Sequence, residues 1–198
     1  MTRTTGRDLN VQVQLERLVA YRADGSVSPV VVAGRLSPDG VFSWAEQPGP
    51  PVDGAGVQEG VTFAAGLAGT LASVTESSDT DTPFVPFVLS RAFTPGELER
   101  VDWLGLLPLP TGEVEVEVRP SDFRLAERLA RREADGNAAD FYAPGEAEAI
   151  RAAEAVFMGL TERRLVTVTA GRVALLLIDV ARLPLGTWAG VASLRIDT

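Results

Sequence analysis

RLVTVTAGRVALLLIDV, residues 164–180, decides the fold. Its two halves read as strands around a tight turn at Ala170-Gly171. The second half is apolar on both of its alternating faces, which only a central strand with cover on each side requires. TWAGVASLRI, residues 187–196, continues as a further strand. Upstream, TGEVEVEVRP, residues 111–120, sets Glu113, Glu115 and Glu117 against Val114, Val116 and Val118. Alternate strand residues point the same way, so the carboxylates share one face and the valines the other. A face of like charges belongs in water or opposite a basic partner, and it also blunts an exposed strand against edge pairing.

Two helices lie between these strands. Ser121 is placed to cap DFRLAERLARREADG, with Leu125 and Leu129 on one face, Glu127 and Arg131 able to pair, and Gly136 as the stop. A second helix is expected from about Glu146 to Leu160, burying Ile150, Ala153, Phe157 and Leu160. Further upstream Thr94, Pro95 and Glu97 form a capping box for a helix over residues 94–104, with Leu98, Val101 and Leu104 buried. PFVPFVLSR, residues 83–91, reads as a short strand. Residues 60–77 fit two periods. Val61, Phe63, Ala65, Leu67 and Leu71 have strand spacing, and Val61, Ala64, Ala68 and Leu71 have helix spacing. Each glycine weakens a helix by about 1 kcal/mol against alanine, so a strand is expected there. GLAGTL within it lacks the order of a phosphate loop and reads as close packing of small residues. Residues 9–46 read as an antiparallel meander with turns at 23–26 and 37–40.

This order predicts an α+β fold: a largely antiparallel sheet, with an N-terminal meander and a C-terminal hairpin, partly covered by about three helices. One domain over residues 1–198 is expected, with the proline- and glycine-rich loop at 47–56 as a weak internal boundary.

Composition narrows the chemistry. The chain has no cysteine, no histidine and no lysine, so all 18 of its basic residues are arginine. Thiol nucleophiles, imidazole bases, Schiff bases and Cys- or His-ligated metals are excluded. Catalysis would fall to Asp, Glu, Tyr, Arg, Ser or Thr, and no cofactor is implied. The net charge of −9 disfavours direct binding to nucleic acid or to an anionic membrane. The longest apolar run, Val173 to Ile178, is too short to span a bilayer. MTRTTGRDLN has no signal-peptide core. The expected location is the cytoplasm, or a virion, since the GC-rich residue usage suits a bacterium or its phage.

Candidate site residues are few. Glu76, Asp79 and Asp81 in TESSDTDTP could hold a hard divalent cation, but the pattern is common in polar loops. Phe141 and Tyr142 offer an aromatic contact or a staple for the following helix. Trp103, Leu106 and Leu107 sit in a proline-broken apolar stretch that suits either core or a subunit contact. With Glu113, Glu115 and Glu117 these are the interface candidates. The reading favoured is a non-catalytic structural or interaction subunit of a larger assembly, with a protein partner or self-association. The alternatives are a small-ligand or regulatory domain with a pocket between sheet and helices, and a carboxylate enzyme, either divalent-metal-dependent through Asp79 and Asp81 or with two converging acids.

Overall fold

The structure is a computed structural model that describes residues 31–33, 54–76, 81–89, 92–99, 114–170 and 174–196. Its centre is the C-terminal hairpin. Strands β6 (Arg163–Ala170), β7 (Ala174–Arg182) and β8 (Trp188–Ile196) pair antiparallel in sequence order. β7 is covered on both faces: Leu176, Ile178 and Val180 are buried on one side, Leu177, Asp179 and Ala181 on the other. β5 (Val114–Pro120) extends the sheet beside β6. β4 (Val85–Leu89) extends it beside β8, and β1 (Val31–Ala33) adds to β4 in parallel. The order of this six-stranded sheet is β1-β4-β8-β7-β6-β5. A separate two-stranded ribbon joins β2 (Thr75–Glu76) to β3 (Thr82–Pro83). The fold is therefore α+β with a largely antiparallel sheet. Apart from Val31–Ala33, the meander expected over 9–46 lies outside the described residues.

Antiparallel register fixes which residues share a face. Arg119, Leu165, Asp179, Val191 and Pro86 form one row across five strands. The next row holds Glu117, Thr167, Leu177 and Ser193, and the next Glu115, Thr169, Leu175 and Arg195. Helices cover this face at the Asp179 row. α1 (Gly54–Thr70) packs on β4 and β8. α3 (Arg124–Ala134) and α4 (Pro144–Met158) pack on each other, and α4 also on α1. Leu67, Leu71, Phe123, Leu125, Ile150 and Phe157 share the core beneath them.

The strand expected over 60–77 is instead the helix α1, followed at its end by β2. Gly56, Gly60, Ala64 and Ala68 recur every fourth residue and form its buried face. Propensity argued against a helix, but tertiary contact requires these small residues. A Cβ on Gly60 would stand 2.8 Å from Val88 Cγ1 and 2.9 Å from Thr187 Cγ2. Of the glycines that cost helix propensity, Gly60 is the one that lets the helix lie close to the sheet; a Cβ on Gly69 would meet nothing within 4 Å.

Capping follows the sequence in two places and departs from it in a third. α2 (Pro95–Leu98) carries the expected box: Thr94 N–H donates to Glu97 Oε2 at 2.8 Å, and Thr94 Oγ1 accepts from Glu97 N–H at 3.3 Å. Residues 101–104, which would have extended it, lie outside the described set. α3 stops at Gly136, with φ of 71°. Asn137 N–H donates to Arg132 O, and Gly136 N–H to Glu133 O, the paired bonds of a Schellman ending. Its start is not capped by Ser121. The N-cap is Phe123, with no side-chain bond of its own. α4 begins at Pro144, and Glu146 reaches back to accept from Ala143 N–H at 2.8 Å. It buries Ile150, Ala153 and Phe157 as expected, with Leu160 packed partly against them.

Gly66 lies in the same helix as Gly60, but a Cβ there would meet nothing within 4 Å. Gly66→Ala should therefore raise the urea midpoint, by up to about 1 kcal/mol in stability. Gly60→Ala should lower it, through overpacking of about 1–3 kcal/mol. Paired denaturation curves check both signs at once.

Candidate functional site

The densest polar constellation among the described residues is buried under α3. Asp179 comes from the most apolar strand, β7, and is 1% exposed. Glu76 ends β2 and is 0% exposed. Carboxylates so placed need cations, since an unpaired buried charge costs several kcal/mol. α3 brings two, one turn apart. Arg124 Nη2 donates to Glu76 Oε2 at 2.8 Å and to Ser193 Oγ at 3.2 Å. Arg128 Nη1 donates to Glu76 Oε1 at 2.6 Å, and its Nε to the Tyr142 hydroxyl at 2.6 Å. Each Glu76 oxygen therefore holds its own guanidinium. Arg124 Nε stands 3.6 Å from Asp179 Oδ2, an ion-pair distance too long for a hydrogen bond. The four charges balance.

Asp179 has a second role. Its Oδ1 accepts from the Arg124 backbone N–H at 3.1 Å. Arg124 is the first residue of α3, so a carboxylate from β7 supplies the negative charge that a helix N-terminus favours. It replaces the cap that Ser121 was expected to give. Ser121 Oγ instead meets Glu127 Oε1 at 3.4 Å, and the same oxygen accepts from Asp122 N–H at 3.1 Å. Glu127 is thereby engaged, and Arg131 bonds to its carbonyl rather than its carboxylate. The backbone bends sharply to allow this. Phe123 has φ of 80°, a conformation that costs a non-glycine residue of order 1–3 kcal/mol. Its ring is fully buried, with its centroid 5.1 Å from that of Phe157. Ring burial and the bonds of Arg124 hold the strained residue in place.

Burial pushes the Asp179 carboxyl above its ordinary range, and Arg124, by charge and by its backbone N–H, offsets this only in part. Desolvation acts to lower the Arg128 pKa, but the Glu76 charge and then Tyr142 outweigh it and hold Arg128 above its ordinary value. Chemically, the cluster can fasten α3 to β2, β7 and β8. Both carboxylates are closed to solvent, and both Glu76 oxygens and Asp179 Oδ1 accept hydrogen bonds.

The other candidate residues lie apart from it. Asp81 is exposed, and Asp79 lies outside the described residues. Among the described residues no group of three or more acids could hold a metal ion. Glu115 and Glu117 are exposed on β5, beside Thr169 and Thr167. Tyr142 is buried against Arg128, whereas Phe141 is half exposed under the guanidinium of Arg132. Glu113, Trp103, Leu106 and Leu107 lie outside the described residues. A pocket of about 440 Å³ opens at the end of α4, lined by Leu160, Glu162, Arg182, Leu183 and Pro184 among others. No protein-family model and no curated protein matches the chain.

Glu76→Gln removes the charge that two guanidiniums share and should destabilise by about 3–5 kcal/mol. Asp179→Asn keeps an acceptor for Arg124 N–H and should cost less. An acid whose folded pKa is raised gives stability that is present below its unfolded pKa, about 4, and is lost as pH rises through the folded one. The deficit of Asp179→Asn relative to the unaltered chain should therefore shrink as pH rises above about 4. Denaturation midpoints of both variants across a pH series check this.

Proposed function

We propose that the chain is a non-catalytic structural or protein-interaction subunit of a larger assembly, and that the β5 edge with its glutamates is a contact surface for a basic partner. The observation that carries this is the state of Glu115 and Glu117. They are exposed on β5, the last of the described strands of the sheet, and their registered neighbours are threonines rather than arginines. This contrasts with Glu76 and Asp179, whose charges are met within the chain. Converging acids are the mark of the carboxylate-enzyme alternative; here the pair that converges is closed to solvent and bound by arginine. A binding surface fits better, with complementary charge setting orientation and encounter rate. The GC-rich residue usage supports a bacterial or phage setting.

A synthetic peptide alternating arginine with valine serves as the probe, read by fluorescence anisotropy. It should bind in a salt-dependent manner. Glu115→Gln with Glu117→Gln should weaken it by roughly two- to tenfold, the size of two exposed ion pairs. Equal binding by the double variant, or no binding by the unaltered chain, would count against the β5 surface.

A further inference from the structure

β5 pairs with β6 along one edge, and no other described strand meets its second edge. Along such an edge every second residue turns its amide and its carbonyl away from the sheet. The ladder with β6 runs from Val114↔Ala170 to Pro120↔Arg164 with no residue skipped, so β5 has no bulge to bend the edge away. Its proline is its last residue, where a missing N–H interrupts nothing within the strand.

The two faces of β5 reach this edge in different states. On one, Glu115 and Glu117 are exposed beside Thr169 and Thr167. On the other, Val116 and Val118 are half-buried, although Val168 and Val166 beside them on β6 are fully buried. The apolar face of the sheet is thus complete at β6 and incomplete at β5. A strand laid against β5 would bring its side chains about 4.5–5.5 Å from these residues, alternately opposite carboxylates and opposite valines. It would complete both faces if basic and apolar residues alternated along it. A helix laid on the carboxylates would leave the valines and the main-chain edge as they are. Full antiparallel overlap with a second copy's β5 would set Glu117 opposite its own counterpart, and like charges so placed are destabilising. Alternating carboxylates therefore keep a like strand from this edge and leave it open to one of opposite charge.

We infer that β5 receives an extended segment of a protein partner in which basic and apolar residues alternate, and that this segment joins the sheet as a further antiparallel strand. Main-chain hydrogen bonds supply affinity. The two faces of β5 supply register, because a slip by one residue sets cations against valines. The inference rests on the interaction-subunit reading and gives its β5 contact a mode and a partner pattern.

The arginine–valine peptide is compared with two derivatives, one N-methylated on the backbone of its arginines and one on that of its valines. Charge and side chains are kept, and the two sets of amides point to opposite edges of an extended peptide. One derivative should bind roughly tenfold or more weakly by fluorescence anisotropy, since several main-chain hydrogen bonds are lost together. The other should bind as the unmethylated peptide does. Amide hydrogen exchange followed by NMR should show the unmethylated peptide protecting every second amide between Val114 and Arg119. Equal binding by the two derivatives, or no added protection of β5, would overturn strand addition and leave a charged contact surface standing. A β5 edge already protected in a self-associated form without peptide would also overturn it, giving the edge to a second copy. No binding by the unmethylated peptide would overturn the β5 contact itself.

Discussion

Arg124 imposes the constraint from which much of the helical layer follows. It begins α3, it is 9% exposed, and its charge is met from two strands at once. Apolar burial is not directional and would tolerate α3 rotated or shifted along the sheet. A guanidinium shared between Glu76 and Ser193, with the backbone N–H beside it bonded to Asp179, accepts only one placement. That placement forces Phe123 into a positive φ, and the buried ring against Phe157 is what keeps it there. Replacing such a network by apolar residues of equal volume is often neutral or stabilising. Its value here is therefore in position rather than net stability, because α3 carries Arg128 and with it Tyr142, which sets the start of α4.

The elements legible in the sequence are those whose own residues hold their reason. The β6–β7 hairpin, the alternation of β5 and the stripe of Ile150, Ala153 and Phe157 in α4 depend on local periodicity. α1 is not legible, because Gly60 makes sense only against Val88 and Thr187, which lie elsewhere in the chain. The buried network escapes a sequence reading for the same reason, although two signals stand in plain sight. Asp179 interrupts the most apolar strand, where a carboxylate requires a buried cation. Arg124 and Arg128 sit one position before Leu125 and Leu129, on the border of the stripe that packs inward. Along the chain Glu76 groups with Asp79 and Asp81 as an acid of a polar loop. Burial separates it from Asp81, and burial is not written in a local pattern.

The same face of the sheet also shows why some of its acids are met by arginine and others are not. In the Asp179 row, α3 supplies Arg124, and Arg119 at the β5 end pairs with Glu127 of that helix at 3.8 Å. Two rows on, Glu115 shares its row with Thr169, Leu175 and Arg195. Arg195 lies three strands away from it, about 14 Å at the usual strand spacing. That exceeds the Debye length of about 8 Å at physiological salt, so it does little to neutralise Glu115. Among the described residues Glu115 and Glu117 stand exposed on β5, the last described strand of the sheet, beside threonines rather than arginines.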